Sequence, residues 1–297
     1  MRTSHALGLA LAGSQIAYGL DAPRPPWMTR AIVGLLLTTS TTDAIEQRGA
    51  RGAAVVAAAG SIGFGAELLG VHTGKPFGPY DYSGKLGPKI ADVPVMAAAA
   101  WALLARPSRV AGDWATDGGT ADDDAPSTRT PRRRAARVVA SAAALTAWDV
   151  FLDPRMVREG YWTWPGGGRY EGIPATNYLG WFATGLAIFA AAELIDPADD
   201  PATHSSRRRP ATRLHGVGRL ANPSRLHAAF PGERSGDTAL ALFAWTWIGE
   251  IIANVLLWRR PRVAWAGGLS MALVAVPALA RRIRAALPPD EKHCTPR

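Results

Sequence analysis

Residues 135–154 read AARVVASAAALTAWDVFLDP, an apolar run that closes on two carboxylates four residues apart. A helix crosses a ~30 Å hydrocarbon layer in about 20 residues, and this stretch has that length. Its many small side chains let a neighbouring helix come close. Comparable blocks recur near residues 4–20, 29–45, 51–70, 92–106, 176–195, 237–258 and 262–283, separated by stretches dense in Arg, Asp, Pro and Gly. The reading is an all-α, polytopic membrane helix bundle of about seven or eight transmembrane helices. A mean hydropathy of +0.01 averages over these two populations and conceals both. The block at 92–106 is short and opens on Asp92-Val93-Pro94, so its start is expected to be partly re-entrant.

The net charge is +9 over 297 residues, but the arginines fall between the apolar blocks rather than along one basic face. That distribution fits membrane topology and argues against a nucleic-acid partner. The single cysteine, Cys294, lies in a polar tail, which excludes a disulfide framework and a cysteine metal site. Pro23-Arg24-Pro25-Pro26 directly follows the first block, and further spans come after it, so a cleaved signal peptide is not expected. Residues 107–134 carry Asp122-Asp123-Asp124 and Arg132-Arg133-Arg134, and residues 197–235 carry Arg207-Arg208-Arg209 with several prolines. Both read as disordered polar linkers, with a tail at 285–297, inside a single membrane domain (1–297) whose core motifs lie in 60–195. Residues 71–91 and 154–175, rich in Gly, Pro and aromatics, read instead as ordered loops.

Placing both termini and the polar linkers on one side gathers roughly two-thirds of the 33 Lys and Arg there. The positive-inside rule then expects a multi-pass cell-membrane protein with cytoplasmic termini and the two ordered loops outside.

Ionisable groups inside apolar spans are costly and usually face a bundle interior or a cavity. Here they are Asp43, Glu67, Asp149, Asp153, Glu193 and Glu250. Asp43 and Glu193 lie near span ends, where snorkelling to the interface is the simple reading. Glu67 follows Gly60-Ser61-Ile62-Gly63-Phe64-Gly65. In apolar surroundings a carboxyl favours its neutral form, which suits a general acid; a hydrogen bond to a neighbouring helix is the plainer role. Asp149 and Asp153 share one helix face and can share a proton, giving an acid/base pair. The same spacing could chelate Mg²⁺ carrying a diphosphate, or Asp153 could simply end the helix before Pro154. Glu250, with Asn254 one turn on, reads as an interior polar pair.

Phe77, Tyr80, Tyr82, Trp148, Tyr161, Trp162, Trp164, Tyr170 and Trp181 gather in and beside the two ordered loops. Such residues serve as interfacial anchors, or line a pocket whose π-faces stabilise a carbocation. The six histidines form no His-x-x-x-His box, and neither a dinucleotide fingerprint nor a phosphate loop is present. No cofactor and no metal are therefore expected.

The two loop stretches resemble the integral-membrane carotenoid biosynthesis protein family of the carotenoid 1,2-hydratase (CruF) and bisanhydrobacterioruberin hydratase type. The resembling residues are Glu67, then Gly70-Val-His-Thr-Gly-Lys-Pro-Phe-Gly-Pro-Tyr-Asp-Tyr82, Leu86-Gly87 and Val93-Pro94. The second block is Trp148-Asp149 with Asp153-Pro154, Gly160-x-Trp162-x-Trp164, Gly172-Ile173-Pro174, Asn177 and Gly180-Trp181. The resemblance implies cofactor-free hydration of the terminal C1,C2 double bond of an acyclic carotenoid, lycopene-like or C50. Glu67, Asp149 and Asp153 would be the catalytic carboxyls. Phe77, Tyr80, Tyr82, Trp148, Trp162, Trp164, Asn177 and Trp181 would bind substrate. The partners implied are that carotenoid, the lipid bilayer and other carotenoid-pathway membrane enzymes. Which carboxyl is the acid stays open at this point.

Two other classes compete. One is a Mg²⁺-dependent membrane prenyltransferase of the carotenoid-elongase kind, for which Asp149-x-x-x-Asp153 has the spacing and Asp196 to Asp200 repeats it. Against it, Leu145 stands where such enzymes carry an asparagine. The other is a non-catalytic carotenoid-binding or transport protein.

Overall fold

The computed structural model describes residues 2–20, 26–116, 131–197 and 237–286. Seven helices carry them: α1 (Thr3–Leu20), α2 (Pro26–Thr73), α3 (Val95–Thr116), α4 (Pro131–Arg158), α5 (Ala175–Ile195), α6 (Asp237–Ile252) and α7 (Pro261–Ala286). α6 runs on into a π-helical turn, Ala253–Leu257. Five of the helices are long and apolar enough to cross a membrane.

α2 supplies two crossings. At Gly49 the backbone takes φ 57°, ψ −138°, a left-handed conformation that costs glycine little and other residues much. The chain reverses there. Thr29 and Glu67 line one cavity, although an unbroken helix would set them about 57 Å apart. Eight helical segments result among the described residues, antiparallel in sequence order.

Their directions follow from contacts at the two ends. At one end α1 is tied to α2 by the Ser4 hydroxyl donating to Glu46 (2.6 Å), and α6 to α7 by Arg282 on Asp237 (2.7 Å). At the other end the Tyr18 hydroxyl donates to Glu159, just past α4 (2.8 Å), and Arg260 before α7 donates to Glu171 (2.9 Å). This second end carries the ordered loops, which are stitched together. β1 (Asp81–Tyr82) pairs antiparallel with β4 (Trp162–Thr163), setting Tyr82 opposite Trp162. β2 (Lys89–Ile90) and β3 (Val93–Pro94) form a small hairpin that leads into α3. The fourth span, expected to start partly re-entrant, is preceded by this hairpin.

Three expectations change. α3 continues to Thr116 and α4 begins at Pro131, so only 117–130 of the expected linker lies outside the described residues. The reason is pairing. Arg106 and Arg109 of α3 and Arg137 of α4 are buried against acids of α2 and α5, which stabilises helix where composition alone argues for coil. Asp43 does not snorkel: it is fully buried, and Arg106 Nε donates to it at 2.9 Å. Asp196, read as the start of a second metal motif, is buried against Arg48 and Arg109, while Asp200 lies outside the described residues. The expected linker at 197–235 falls almost wholly outside them too.

Asp153 does not end its helix, and α4 passes through Pro154 to Arg158. Proline has no N–H to offer the carbonyl of Val150 one turn back. The Tyr170 hydroxyl takes that place, donating to Val150 O at 3.0 Å. A loop residue thus repairs the helix next to its carboxylates.

Candidate active site at the loop end

The site begins with a glycine. At Gly63, one turn before Glu67, an added Cβ would lie 2.1 Å from Trp101 Cγ, so only glycine lets the α3 indole lie flat on α2. Without a hydrophobic driving force between helices in lipid, such close backbone contact is what holds them together. Trp101 is almost fully buried and stacks on Trp181 of α5, ring centroids 4.0 Å apart and planes 25° apart. Its Nε1–H donates to Glu67 Oε1 at 3.0 Å.

The first ordered loop closes over the other Glu67 oxygen. Tyr80 and Tyr82 both donate their hydroxyls to Oε2, Tyr82 at 2.9 Å. Burial, reinforced by the Glu67 charge, pushes both phenols well above their usual range. Tyr80 and Tyr82 therefore stay protonated donors at any physiological pH. Glu67 itself is 6% exposed.

The second wall belongs to α4 and α5. Asp149 and Asp153, 0% and 2% exposed, flank the side chain of Asn177, 2% exposed. The Asn177 amide nitrogen donates to Asp149 Oδ2 at 3.0 Å and to Asp153 Oδ2. Trp162, from β4, donates its indole N–H to Asp153 Oδ1 at 3.1 Å. Asp149 Oδ1 has no hydrogen-bond partner among the described residues. Trp164 donates to the carbonyl of Phe77 at 3.1 Å, binding the second loop to the first.

Between the walls lies a cavity of about 70 Å³, enough for several waters at ~10–15 Å³ each. Its lining is almost wholly apolar and aromatic. Of the residues the sequence pointed to, Glu67, Asp153, Phe77, Tyr80, Tyr82, Trp162, Trp164, Asn177 and Trp181 line it. Asp149 sits behind Asn177 without lining it. Trp148 faces elsewhere, edge-on to Phe243 of α6 at 6.4 Å.

Sequence reasoning missed Trp101, Thr29, Met96 and Met156 on the lining. A signal for Trp101 was present. It stands in the middle of an alanine-rich span, where tryptophan cannot be an interfacial anchor. Thr29 and the methionines gave none. The expected Glu250–Asn254 pair exists, Asn254 donating to Glu250 Oε2 at 3.3 Å, but Glu250 also takes Arg155 of α4 and stands apart from the cavity.

Three comparisons bear on this site. A family model described as carotenoid biosynthesis protein matches residues 29–217, which include every cavity-lining side chain. Bisanhydrobacterioruberin hydratase of Haloarcula japonica is 29% identical over 133 residues, 41% of this chain and 38% of that protein. The match therefore spans well under half of that relative's length. No solved structure matches.

Proposed function

The chain belongs to the carotenoid biosynthesis protein family, and on that premise we propose that it is a cofactor-free hydratase of an acyclic carotenoid. Water adds across the terminal C1,C2 double bond and leaves a tertiary hydroxyl at C1. The observation that carries this reading is the cavity itself. Carboxyls stand on two of its walls, only neutral donors touch them, and aromatic faces fill the space between.

The chemistry needs each of these parts. Protonating an unactivated alkene requires a strong, positioned acid, and dry surroundings keep a carboxyl neutral and close to the double bond. The product of that step is a tertiary cation at C1. The π-faces of Trp101, Trp181, Trp164 and Tyr80 can stabilise it without offering a nucleophile, each worth roughly 1–2 kcal/mol when desolvated. A second carboxylate then steers water onto C1 and takes its proton. Glu67 and the Asp149/Asp153 pair, with Asn177 between the aspartates, hold these roles between them. The similarity to a bisanhydrobacterioruberin hydratase supports the reaction type. The proposed setting is the cell membrane, with both termini cytoplasmic and the site near the outer face.

The test is the pigment made by a lycopene-accumulating host that expresses the chain. Carotenoid heavier by one water per modified end is the expected product in mass spectra. Pigment bound to the purified protein but unchanged in mass would overturn the proposal in favour of a binding protein.

A further inference from the structure

We infer that the two carboxylate centres have fixed and different roles: Asp153, with Asp149 behind it, is the acid that protonates C2, and Glu67 is the anion that receives the proton of the attacking water. The inference rests on the hydratase reading and adds the direction in which the proton crosses the cavity.

Hydrogen counting separates the two centres. Three hydrogens already point at Glu67, from Trp101, Tyr80 and Tyr82, and they occupy both of its oxygens. An indole N–H can only donate, and both phenols keep their protons. With both phenols donating, a carboxylate accepts all three, whereas a carboxylic acid would require one phenol to turn and accept instead. Glu67 is built to be an anion held by neutral donors.

The aspartates differ as a pair: Asp153 accepts Trp162 at Oδ1 and Asn177 at Oδ2, but among the described residues Asp149 keeps one oxygen free for a shared hydrogen. Two carboxyl groups four residues apart on α4 share a single amide, that of Asn177, and only Trp162 adds another donor. No cation lies among these donors. Two buried carboxylates so placed cannot both be ionised, and the pair retains one proton. Asp149 Oδ1, which has no partner among the described residues, leaves room for that hydrogen. Of the two, only Asp153 lines the cavity. Asp153 is therefore the catalytic residue of the pair, and Asp149 is the positioning residue that shares its proton.

The step balances without a co-reactant. The C1,C2 π pair takes the Asp153 proton and becomes the C2–H bond, leaving a cation at C1. A water lone pair forms the C1–O bond, and Glu67 takes the proton that water loses. One proton has moved from Asp153 to Glu67, and its return through cavity water restores both. The sum is carotenoid plus water.

The two roles leave different traces in D₂O. Membranes containing the full chain would be incubated with lycopene, and both the hydrated product and the recovered lycopene analysed by mass spectrometry. Wild type making no hydrated product would overturn the hydratase reading itself. With wild type active, Asp153→Asn is expected to abolish both product and deuterium in recovered lycopene, because no cation forms. Glu67→Gln is expected to lower product about 100-fold yet leave deuterium in recovered lycopene, since a cation that meets no activated water reverts by losing a proton. Exchange lost in Glu67→Gln, or retained in Asp153→Asn, would overturn the roles while leaving the activity in place. Tyr82→Phe guards against misfolding, as it removes one hydrogen from the Glu67 site and keeps the ring. It should lower product about tenfold with exchange retained; exchange falling in step with product would overturn the assignment of Glu67.

Discussion

Both ends of this bundle bury acids, and they bury them with opposite company. At the end away from the ordered loops Asp43, Asp196 and Glu193 each meet an arginine. Arg106 holds Asp43, Arg48 and Arg109 hold Asp196, and Arg137 holds Glu193. At the loop end Glu67, Asp149 and Asp153 meet only tyrosine, tryptophan and asparagine. A carboxylate against a guanidinium is fixed as an anion, since arginine does not give up its proton. One held by neutral donors can gain or lose a proton at moderate cost. The difference separates acids that lock helices together from acids available for chemistry, though all are buried.

The largest expected effects come from making the same substitution at each end. Asp149→Asn should leave the protein folded and lower hydration by about 10²–10⁴, because the proton it shares with Asp153 is gone. Asp43→Asn should do the reverse. It strands Arg106 in the interior, at a cost of about 3–5 kcal/mol, while activity per folded molecule stays at the wild-type level. Pigment turnover normalised to folded protein, with thermal unfolding in detergent, reads both. Equal behaviour of the two variants would remove the distinction between the ends.

A sharper form of the same comparison repairs the lock without charge. Asp43→Leu combined with Arg106→Met replaces a buried pair by apolar side chains of similar size. It is expected to unfold within about 1–2 kcal/mol of wild type, far less than either single change. Additive losses in that double-mutant cycle would mean that the two side chains are not energetically coupled, and Asp43 and Arg106 would not be a lock.

This contrast was only half legible in the sequence. The spans could be read because lipid demands about 20 apolar residues for each crossing, and composition reports that directly. The two loops could be read because Gly, Pro and aromatics crowd them. Tyr82 and Trp162 stood out as single residues, but their pairing across β1 and β4 depends on register between distant segments. The ion-pair end was misread for a related reason. Arg109 looks like solvated linker and Arg106 and Arg137 like the ends of apolar spans, and only their long-range partners make them interior. Trp148 shows the converse. It sits beside Asp149 in sequence, yet the helical turn aims it at α6.

A smaller effect is expected from the aromatic wall. Trp181→Leu keeps an apolar lining and removes the face stacked on Trp101. If the Trp181 ring, through the face not given to Trp101, stabilises a developing cation by ~1–2 kcal/mol, hydration falls about tenfold, with substrate affinity little changed. Initial rates over a range of lycopene concentrations in membranes would show this as a loss in kcat. A loss confined to KM would mean that Trp181 only binds the chain.

The smallest expected effect is none at all, and it bears on how Asp149 and Asp153 are read. Four-residue spacing on a helix is as suitable for a diphosphate-bound Mg²⁺ as for a shared proton. The surrounding donors distinguish the two. A metal site needs oxygen lone pairs turned inward, yet here the Asn177 amide and the Trp162 indole aim N–H groups at those lone pairs. A cation would have to displace both, and displacing Trp162 would pull on the strand pair that ties the two loops. Hydration in membranes treated with EDTA should therefore proceed at the untreated rate. A rate that collapses on chelation and returns with added Mg²⁺ would turn the aspartates from a proton-sharing pair into a metal clamp, and the loop end would join the other end as a place where acids are held by a fixed charge.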